Sequence, residues 1–490
     1  LPPPNPQDRL SDLERLYRAI RQVKDVPIMQ TGLANIRHLG SLLRSAEFKV
    51  TVTLGNRNGT TEIVLIEPGN TADRNFGVAF DIGTTTISGQ LVGLNDKKAL
   101  GTKATFNQQA TFGSDIITRI IYAQKEEGLE RLHHAVIDGM NEIIREFVQE
   151  NNLDLNNLTC CLCAGNTTMV HILLRVDPTY IRRDPYVPTA NFVPVIRAQE
   201  AGIKIKPRGL LGCVPGISSY VGGDITAGVL ACGLDTEDKV CLLIDVGTNG
   251  EIVLGNREWM VSCAASAGPA FEGSGVCCGM RASSGAVQRV KIDGDGESNG
   301  GYRVDLSVIG GGPARGICGS GYIDLIAAML ARGIIDKSGK INEAKTANNG
   351  YVRRGGNGER QFVLRDDVYI SEADIDNIKR AKGAIFAAAA TLVKYMGLTF
   401  DDVHKVFIAG GFGNYLDIES AVAIGLLPDI PRERFRFVGN SSLAGAREIM
   451  LSAQAMRKAE DIARKVTCVE LSEETGYMDE YVAALFFPHT

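Results

Sequence analysis

Aromatic side chains make up only 6% of the 490 residues, with a single tryptophan, and histidine occurs six times. Six scattered histidines support no Ser–His–Asp arrangement. No basic run stands out and the net charge is -5, so nucleic acid is not an expected partner. The longest apolar helical stretch, around Gly383–Val393, is too short and too Ala-rich to span a bilayer, so no membrane partner is expected either. The start, LPPPNPQDRL, lacks the basic head and apolar core of a signal peptide. It opens on Leu rather than Met, and the chain is expected to be a piece of a longer protein. No G-x-x-x-x-G-K-[ST] run occurs, which excludes a P-loop. Gly273 and Gly275 meet Gly279 one residue late for a dinucleotide fingerprint. The stretch DGDGESNGGYRV has Ser298 and Val304 where a calcium loop needs Gly and Glu, and reads as a polar hairpin tip. No cysteine run has the C-x₄-C-x₂-C spacing of a plant-type iron–sulfur site. The eleven cysteines, an odd number with several in apolar runs, read as reduced thiols in the cytoplasm. Cys160 and Cys163 form a C-x-x-C, but LTCCLC has the pattern of a buried strand, and packing is preferred to redox or metal work. Cys277 and Cys278 are given a structural role as well.

Glycine, by contrast, is abundant at 55 residues, without any Gly/Ser tract. That pattern points to tight turns and close backbone–ligand approach rather than to a linker. The 44% hydrophobic content is enough for several cores. Ser11 with Glu14 forms a capping-box signature before the amphipathic stretch Ser11–Val23. Helix, strand, an N-R-N-G turn and a second strand follow, and Pro68–Asn75 makes a boundary. We divide the chain into a linker helix (1–24), a small α+β unit (25–75), and two α/β lobes (76–235 and 236–490), with C-terminal elements able to return to the first lobe. Residues 177–215, rich in proline, are expected to be irregular.

The organising feature is a repeat. GVAFDIGTTTISGQLVGL from Gly77 and CLLIDVGTNGEIVLGN from Cys241 are each an apolar strand, then Asp-[Ile/Val]-Gly-Thr, then a strand turning back. Such a hairpin suits a polyphosphate. Gly83 and Gly247 let the tip wrap an anion closely. The hydroxyls of Thr84, Thr85, Thr86 and Thr248, with the neighbouring N–H groups, can donate to phosphate oxygens. Asp81 and Asp245 stand at strand ends, where a carboxylate can hold Mg²⁺ directly or through water. A third element, FIAGGFGN, ends a strand in Gly410 and Gly411, where a sugar or adenine can lie against the main chain; a helix entry needing small residues is the other reading.

The order DIGTTT, GGD, DVGTNGE, IAGGFGN, GNSSLAGA resembles the two phosphate, two connecting and adenosine elements of the actin, sugar-kinase and heat-shock ATPases. With CAGNTTMVH, SYVGGDITAGVLA, SCAASAGPAFEG, GICGSGYID and the closing FFPH, the chain more closely resembles the C-terminal part of ATP-dependent reductive activators of corrinoid proteins. The resemblance implies an α/β fold of two actin-like, ribonuclease-H-like lobes behind a small N-terminal α+β domain. It implies ATP and Mg²⁺ as cofactors, a corrinoid protein as partner, and reduction of its Co(II) to Co(I). It also implies a [2Fe-2S] domain preceding this chain as the route from the electron donor, and a homodimer, for which residues 20–72 are the candidate. Carried over residue by residue, Asp81, Gly83, Thr84, Thr85 and Thr86 form one phosphate loop, and Asp245, Gly247, Thr248, Asn249 and Gly250 the other. Gly222, Gly223 and Asp224 form the connecting element, with Asp224 a candidate for Mg²⁺ or the attacking water. Gly410, Gly411 and Phe412 border the adenosine. Four assignments keep two readings. Glu251 is catalytic or a solvated strand residue; Lys382 flanks adenine or is a solvated lysine; Asn166 and Thr167 face the cleft or merely close a strand. His171 is expected in the core. A small-molecule kinase and a non-catalytic ATP-dependent scaffold on the same fold remain as alternatives.

Overall fold

The computed structural model describes residues 1–294, 302–343, 350–356, 358–365, 367–411 and 416–488. The N-terminal region follows its local signals. Ser11 Oγ accepts from Glu14 N, and the Glu14 carboxylate accepts from Ser11 N, starting the helix Asp12–Val23 with both orphan donors met. A second helix, Leu33–Ser45, packs with it over the strands β1 (Met29–Thr31), β2 (Val50–Arg57) and β3 (Thr60–Pro68). The β2–β3 turn places Asn58 and Gly59 at positive φ, the conformation that Asn-Gly hairpins favour. Leu16, Leu39, Leu43, Phe48 and Ile63 fill the small core. Glu62 of β3 is fully buried and is answered by Arg57 at 2.9 Å, Arg197 at 2.6 Å and Arg208. A buried carboxylate without such partners would cost several kcal/mol (about 3–5 for loss of one partner), so this cluster pins the small domain to the segment carrying Arg197 and Arg208.

The chain separates into two compact units, residues 1–227 with 442–460, and residues 228–441 with 461–490. The main sheet of the first comprises β4 (Phe76–Ile82), β5 (Thr86–Gly93), β6 (Ala99–Phe106), β7 (Leu158–Gly165), β8 (Ile196–Arg197) and β9 (Leu210–Cys213). Its order is β6-β5-β4-β7-β9-β8. β4 pairs antiparallel with β5 and parallel with β7. β4 and β7 are buried along both faces, and the near-continuous apolar runs FGVAFDI and LTCCLC suit that. Helix Gly128–Glu150 covers one face through Val136, Ile143 and Phe147. The Cys160 thiol is pushed up to about 12 by burial and that of Cys163 well above its ordinary range, consistent with packing. The proline-rich stretch holds only β8, β9 and short 3₁₀ turns.

The second unit repeats this arrangement. Its strands are β10 (Cys241–Val246), β11 (Gly250–Gly255), β12 (Met260–Ala265), β13 (Ala286–Asp293), β14 (Arg303–Val308), β15 (Gly316–Ile317), β16 (Val352–Arg354), β17 (Arg360–Arg365), β18 (Val368–Ser371), β19 (Lys405–Ala409), β20 (Phe435–Gly439) and β21 (Val466–Cys468). The main sheet runs β20-β19-β10-β11-β12-β21, with two three-stranded sheets, β14-β13-β15 and β16-β17-β18, beside it. With the two-residue β8 left out and each sheet numbered from its own first strand, both contain the order 3-2-1-4-5: β6-β5-β4-β7-β9 in one unit, β12-β11-β10-β19-β20 in the other. The fold is therefore a duplicated ribonuclease-H-like α/β lobe. Helices Gly319–Ala331 and Glu372–Tyr395 bury Tyr322, Ile326, Ile378 and Ile385 in its core. β13 and β14 pair antiparallel as a hairpin would, while residues 295–301 of the stretch read as its polar tip lie outside the described residues.

Candidate functional site: two hairpins and their surroundings

In the first unit, β4 ends by placing Asp81 opposite Ser88 of β5 and beside Ala164 of β7. Gly83 N donates to Thr86 O at 2.9 Å, closing the tip, and Thr84 and Thr85 lie buried within it. The end of β7 leads to Asn166, which caps helix Thr167–Leu173 by accepting from Thr168 N at 3.0 Å. Asn166 Nδ2 donates to Tyr220 O at 2.7 Å and Thr167 Oγ1 to Ser218 O at 2.5 Å. These bonds draw the 218–222 segment onto the strand end. A Cβ on Gly222 would come within 2.4 Å of Gly165 O and 2.5 Å of Thr167 N, so only glycine permits the approach. The following helix, Gly223–Cys232, then delivers Asp224. Burial, and next the charge of Asp81, push the Asp224 carboxyl up to about 7. Ser442 Oγ donates to Asp81 Oδ1 at 2.9 Å. The predicted residues Asp81, Gly83–Thr86, Asn166, Thr167 and Gly222–Asp224 are thus gathered in one place. His171 is a core histidine, buried, with Nδ1 against Thr167 O at 2.8 Å.

In the second unit, Asp245 pairs across the hairpin with Glu251 and, in parallel, with Ala409 at the end of β19. Gly247 N donates to Asn249 O at 3.0 Å, and Thr248 and Asn249 are buried. Gly250 lies on the helix Glu372–Tyr395, where a Cβ would approach Ile385 to 2.7 Å. Gly410 has φ +112°, and a Cβ there would meet Val246 O at 2.4 Å. The glycine turn therefore sits against the strand that precedes the hairpin. Gly411 is exposed, and a Cβ on it would meet nothing within 4 Å. Phe412 lies outside the described residues.

Two readings change. Glu251 is buried at 7% exposure rather than solvated. Lys382 is fully buried, so the solvated-lysine reading fails. Its amine donates to Phe486 O and lies 5.2 Å over the Phe487 ring, so it is committed to the C-terminal segment rather than positioned as an adenine flank. Burial, then Lys379, lowers its pKa to about 7. Three residues were missed. Ser442 stood inside the quoted GNSSLAGA, where a hydroxyl at a helix start was the available signal. Glu272 stood in SCAASAGPAFEG, and it accepts from Thr248 Oγ1. Its turn, Pro269–Glu272, is bracketed by Gly268 and Gly273 at positive φ. Arg119, a charge in an apolar helical stretch, is fully buried and bonds to Thr84 O.

Known proteins agree with this architecture along its whole length. The RACo linker region matches residues 1–73, the RACo middle region 76–237, and the C-terminal ASKHA domain of RACo 239–490. A solved structure titled reductive activator for corrinoid, iron–sulfur protein is 46% identical, with a TM-score of 0.94, over 100% of this chain and 78% of that one. The corrinoid activation enzyme RamQ of Eubacterium limosum is 31% identical over 97% of this chain and 80% of its own length. The [Co(II) methylated amine-specific corrinoid protein] reductase of Methanosarcina barkeri is 27% identical over 82% and 74%. The ASKHA fold is a nucleotide-binding one, and the paired hairpins are its repeated element. With linker, middle and ASKHA regions all matched in order, the chain belongs to the RACo family, the reductive activators of corrinoid proteins.

Proposed function

We propose that the chain couples ATP to the one-electron reduction of Co(II) to Co(I) in a partner corrinoid protein. The observation that supports this most is the full-length similarity to a reductive activator, together with two separately built Asp-x-Gly-Thr hairpins. In this reading Gly83–Thr86 and Gly247–Gly250 are the phosphate loops, and Gly410 and Gly411 border the adenosine. The donor chemistry fits Mg²⁺. Asp81 and Asp224 converge closely enough that one raises the other's pKa, a repulsion a divalent cation would relieve. Among the described residues no group of three or more His, Cys, Asp or Glu gathers as a metal cage. Magnesium held by one or two carboxylates and phosphate oxygens needs none. Held at Asp81 and Asp224 in one unit, or at Asp245 in the other, it would offset phosphate charge, while Asp224 and Glu251 are the carboxylates available to orient water.

The electron comes, in this reading, from an iron–sulfur centre outside these 490 residues. The homodimer contact proposed for residues 20–72 would use Ile28 and Leu33, which are 61% and 60% exposed. Ile28→Asp with Leu33→Asp should then yield a monomer by light scattering, and an unchanged mass would move the contact elsewhere. ATP turnover of the chain, with and without a Co(II) corrinoid protein, tests the function. Stimulation by the corrinoid protein is expected. Phosphate transfer to a sugar or carboxylate instead would favour a kinase.

A further inference from the structure

The first phosphate hairpin is backed by a buried set of donors that lies outside the hairpin motif. Gly83 O accepts from Asn107 Nδ2 at 2.9 Å, Thr84 O from Arg119 Nη2 at 2.5 Å, and Thr85 O from Asn107 N at 2.9 Å. Three consecutive carbonyls are thus drawn into the protein. In a trans peptide the N–H points opposite to the C=O, so the N–H groups of Thr84 and Thr85 are turned the other way. Successive N–H groups presented on one side form an anion-binding concavity.

The donors are themselves fixed. Arg119 has no exposed surface. Besides Thr84 O, its guanidinium donates from Nη1 to Gln109 Oε1 at 3.0 Å, from Nη1 toward Met169 Sδ at 3.3 Å, and from Nε to Gly113 O at 2.9 Å. Gln109 is anchored in turn by Nε2 donating to Leu132 O at 2.8 Å, and its N–H is accepted by Asn107 Oδ1 at 3.1 Å. Arg119 itself rides on helix Ile116–Ala123, whose start is set by the reciprocal Asp115–Thr118 capping box. A planar guanidinium presents five donors as a rigid fork and stays charged, so it can hold these four acceptors at fixed angles, which an ammonium with three rotatable donors cannot. Met169 belongs to the helix capped by Asn166, so one side chain ties the phosphate tip to the neighbouring strand end.

We propose that Arg119 is a positioning residue for phosphate recognition, acting with Asn107 through the loop carbonyls to aim the N–H groups of Thr84 and Thr85 at the phosphates. This rests on the ATP reading above. A merely structural arginine would, on removal, lower stability and weaken every nucleotide alike. A positioning one weakens ligands in proportion to the phosphates they bring.

The test measures binding of Mg-ATP to the parent chain, Arg119→Lys and Asn107→Ala, with AMP followed by displacement of a fluorescent ATP analogue and the thermal midpoint recorded throughout. We expect ATP affinity to fall by about tenfold or more in both variants, and AMP affinity to stay within about twofold of the parent. If Arg119→Lys does not fold, Asn107→Ala, which leaves the guanidinium in place, decides the question. Unchanged ATP affinity, or equal losses for ATP and AMP, overturns the positioning role. A parent chain that fails to bind Mg-ATP removes the nucleotide reading instead.

Discussion

The two hairpins share strand, acid, glycine and threonine, yet they are backed by opposite chemistry. Around the first tip stand donors, Asn107 and Arg119, which take up its carbonyls. Against the second stands an acceptor, Glu272, which takes up the hydroxyl of Thr248. The carboxylates differ as well. Asp81 is met by the Ser442 hydroxyl and a second acid from a helix start, whereas Asp245 faces Glu251 across its own ladder. Duplication has kept the Asp-x-Gly-Thr hairpin and let its support diverge. In the proposed reading the first tip grips an anion, whereas the second has a carboxylate beside the same kind of loop. Two loops of one motif should therefore respond unequally to equivalent substitutions.

The largest effects belong to the strand-end acids. Asp81→Asn should lower Mg-ATP turnover about a thousandfold, with Asp245→Asn also severe, while far-ultraviolet circular dichroism is unchanged. Retained turnover in either variant would remove that carboxylate from the metal assignment. Next come the paired glycines, which separate fold from site. Gly410→Ala forces a side chain onto Val246 O at positive φ and should cost about 2–3 kcal/mol in denaturant unfolding. Gly411→Val meets open space, should keep its stability, and should weaken nucleotide binding by about tenfold, or 1.4 kcal/mol. Normal affinity there would place the adenosine elsewhere. Glu272→Gln sharpens the contrast between the loops. Removing a negative charge beside the second tip should tighten ADP binding by about 1 kcal/mol at low salt, and a weakening would show that the carboxylate supports binding.

A separate, pH-dependent effect concerns Lys382. Burial lowers its pKa from 10.5 to about 7, so between those values the unfolded chain holds a proton that the folded chain does not. The stability penalty is complete below pH 7 and is relieved as pH rises toward 10.5. Lys382→Met should flatten the rise in unfolding free energy across pH 7–9, where one such group contributes at most about 1.4 kcal/mol per pH unit. An unaltered slope would refute the buried amine as its source.

What the sequence made legible was local or repeated. The Ser11–Glu14 cap, the Asn-Gly turn and the two Asp-x-Gly-Thr hairpins each announce themselves within a few residues, and the structure builds them where the patterns stand. The duplicated lobe was readable because both copies keep an apolar strand before the acid. Lys382, Arg119 and Glu272 were not readable in the same way. Lys382 carries a side chain common on surfaces, and its partners Phe486 and Phe487 stand far along the chain. Arg119 sits 35 positions from the Thr84 carbonyl it holds, and Glu272 24 positions from Thr248. Spacing within a motif says nothing about partners of that separation. Composition likewise could not show that Glu251 would be enclosed, since that depends on what packs over its face of the sheet.

The central claim is that nucleotide drives cobalt reduction in a partner. It is tested most directly by following the visible spectrum of a Co(II) corrinoid protein mixed with this chain and a low-potential one-electron reductant, with and without Mg-ATP. The account predicts that Co(I) accumulates only when chain and ATP are both present, and that Asp81→Asn abolishes the effect. Reduction to the same extent without ATP, or none with it while ATP is still hydrolysed, would contradict it.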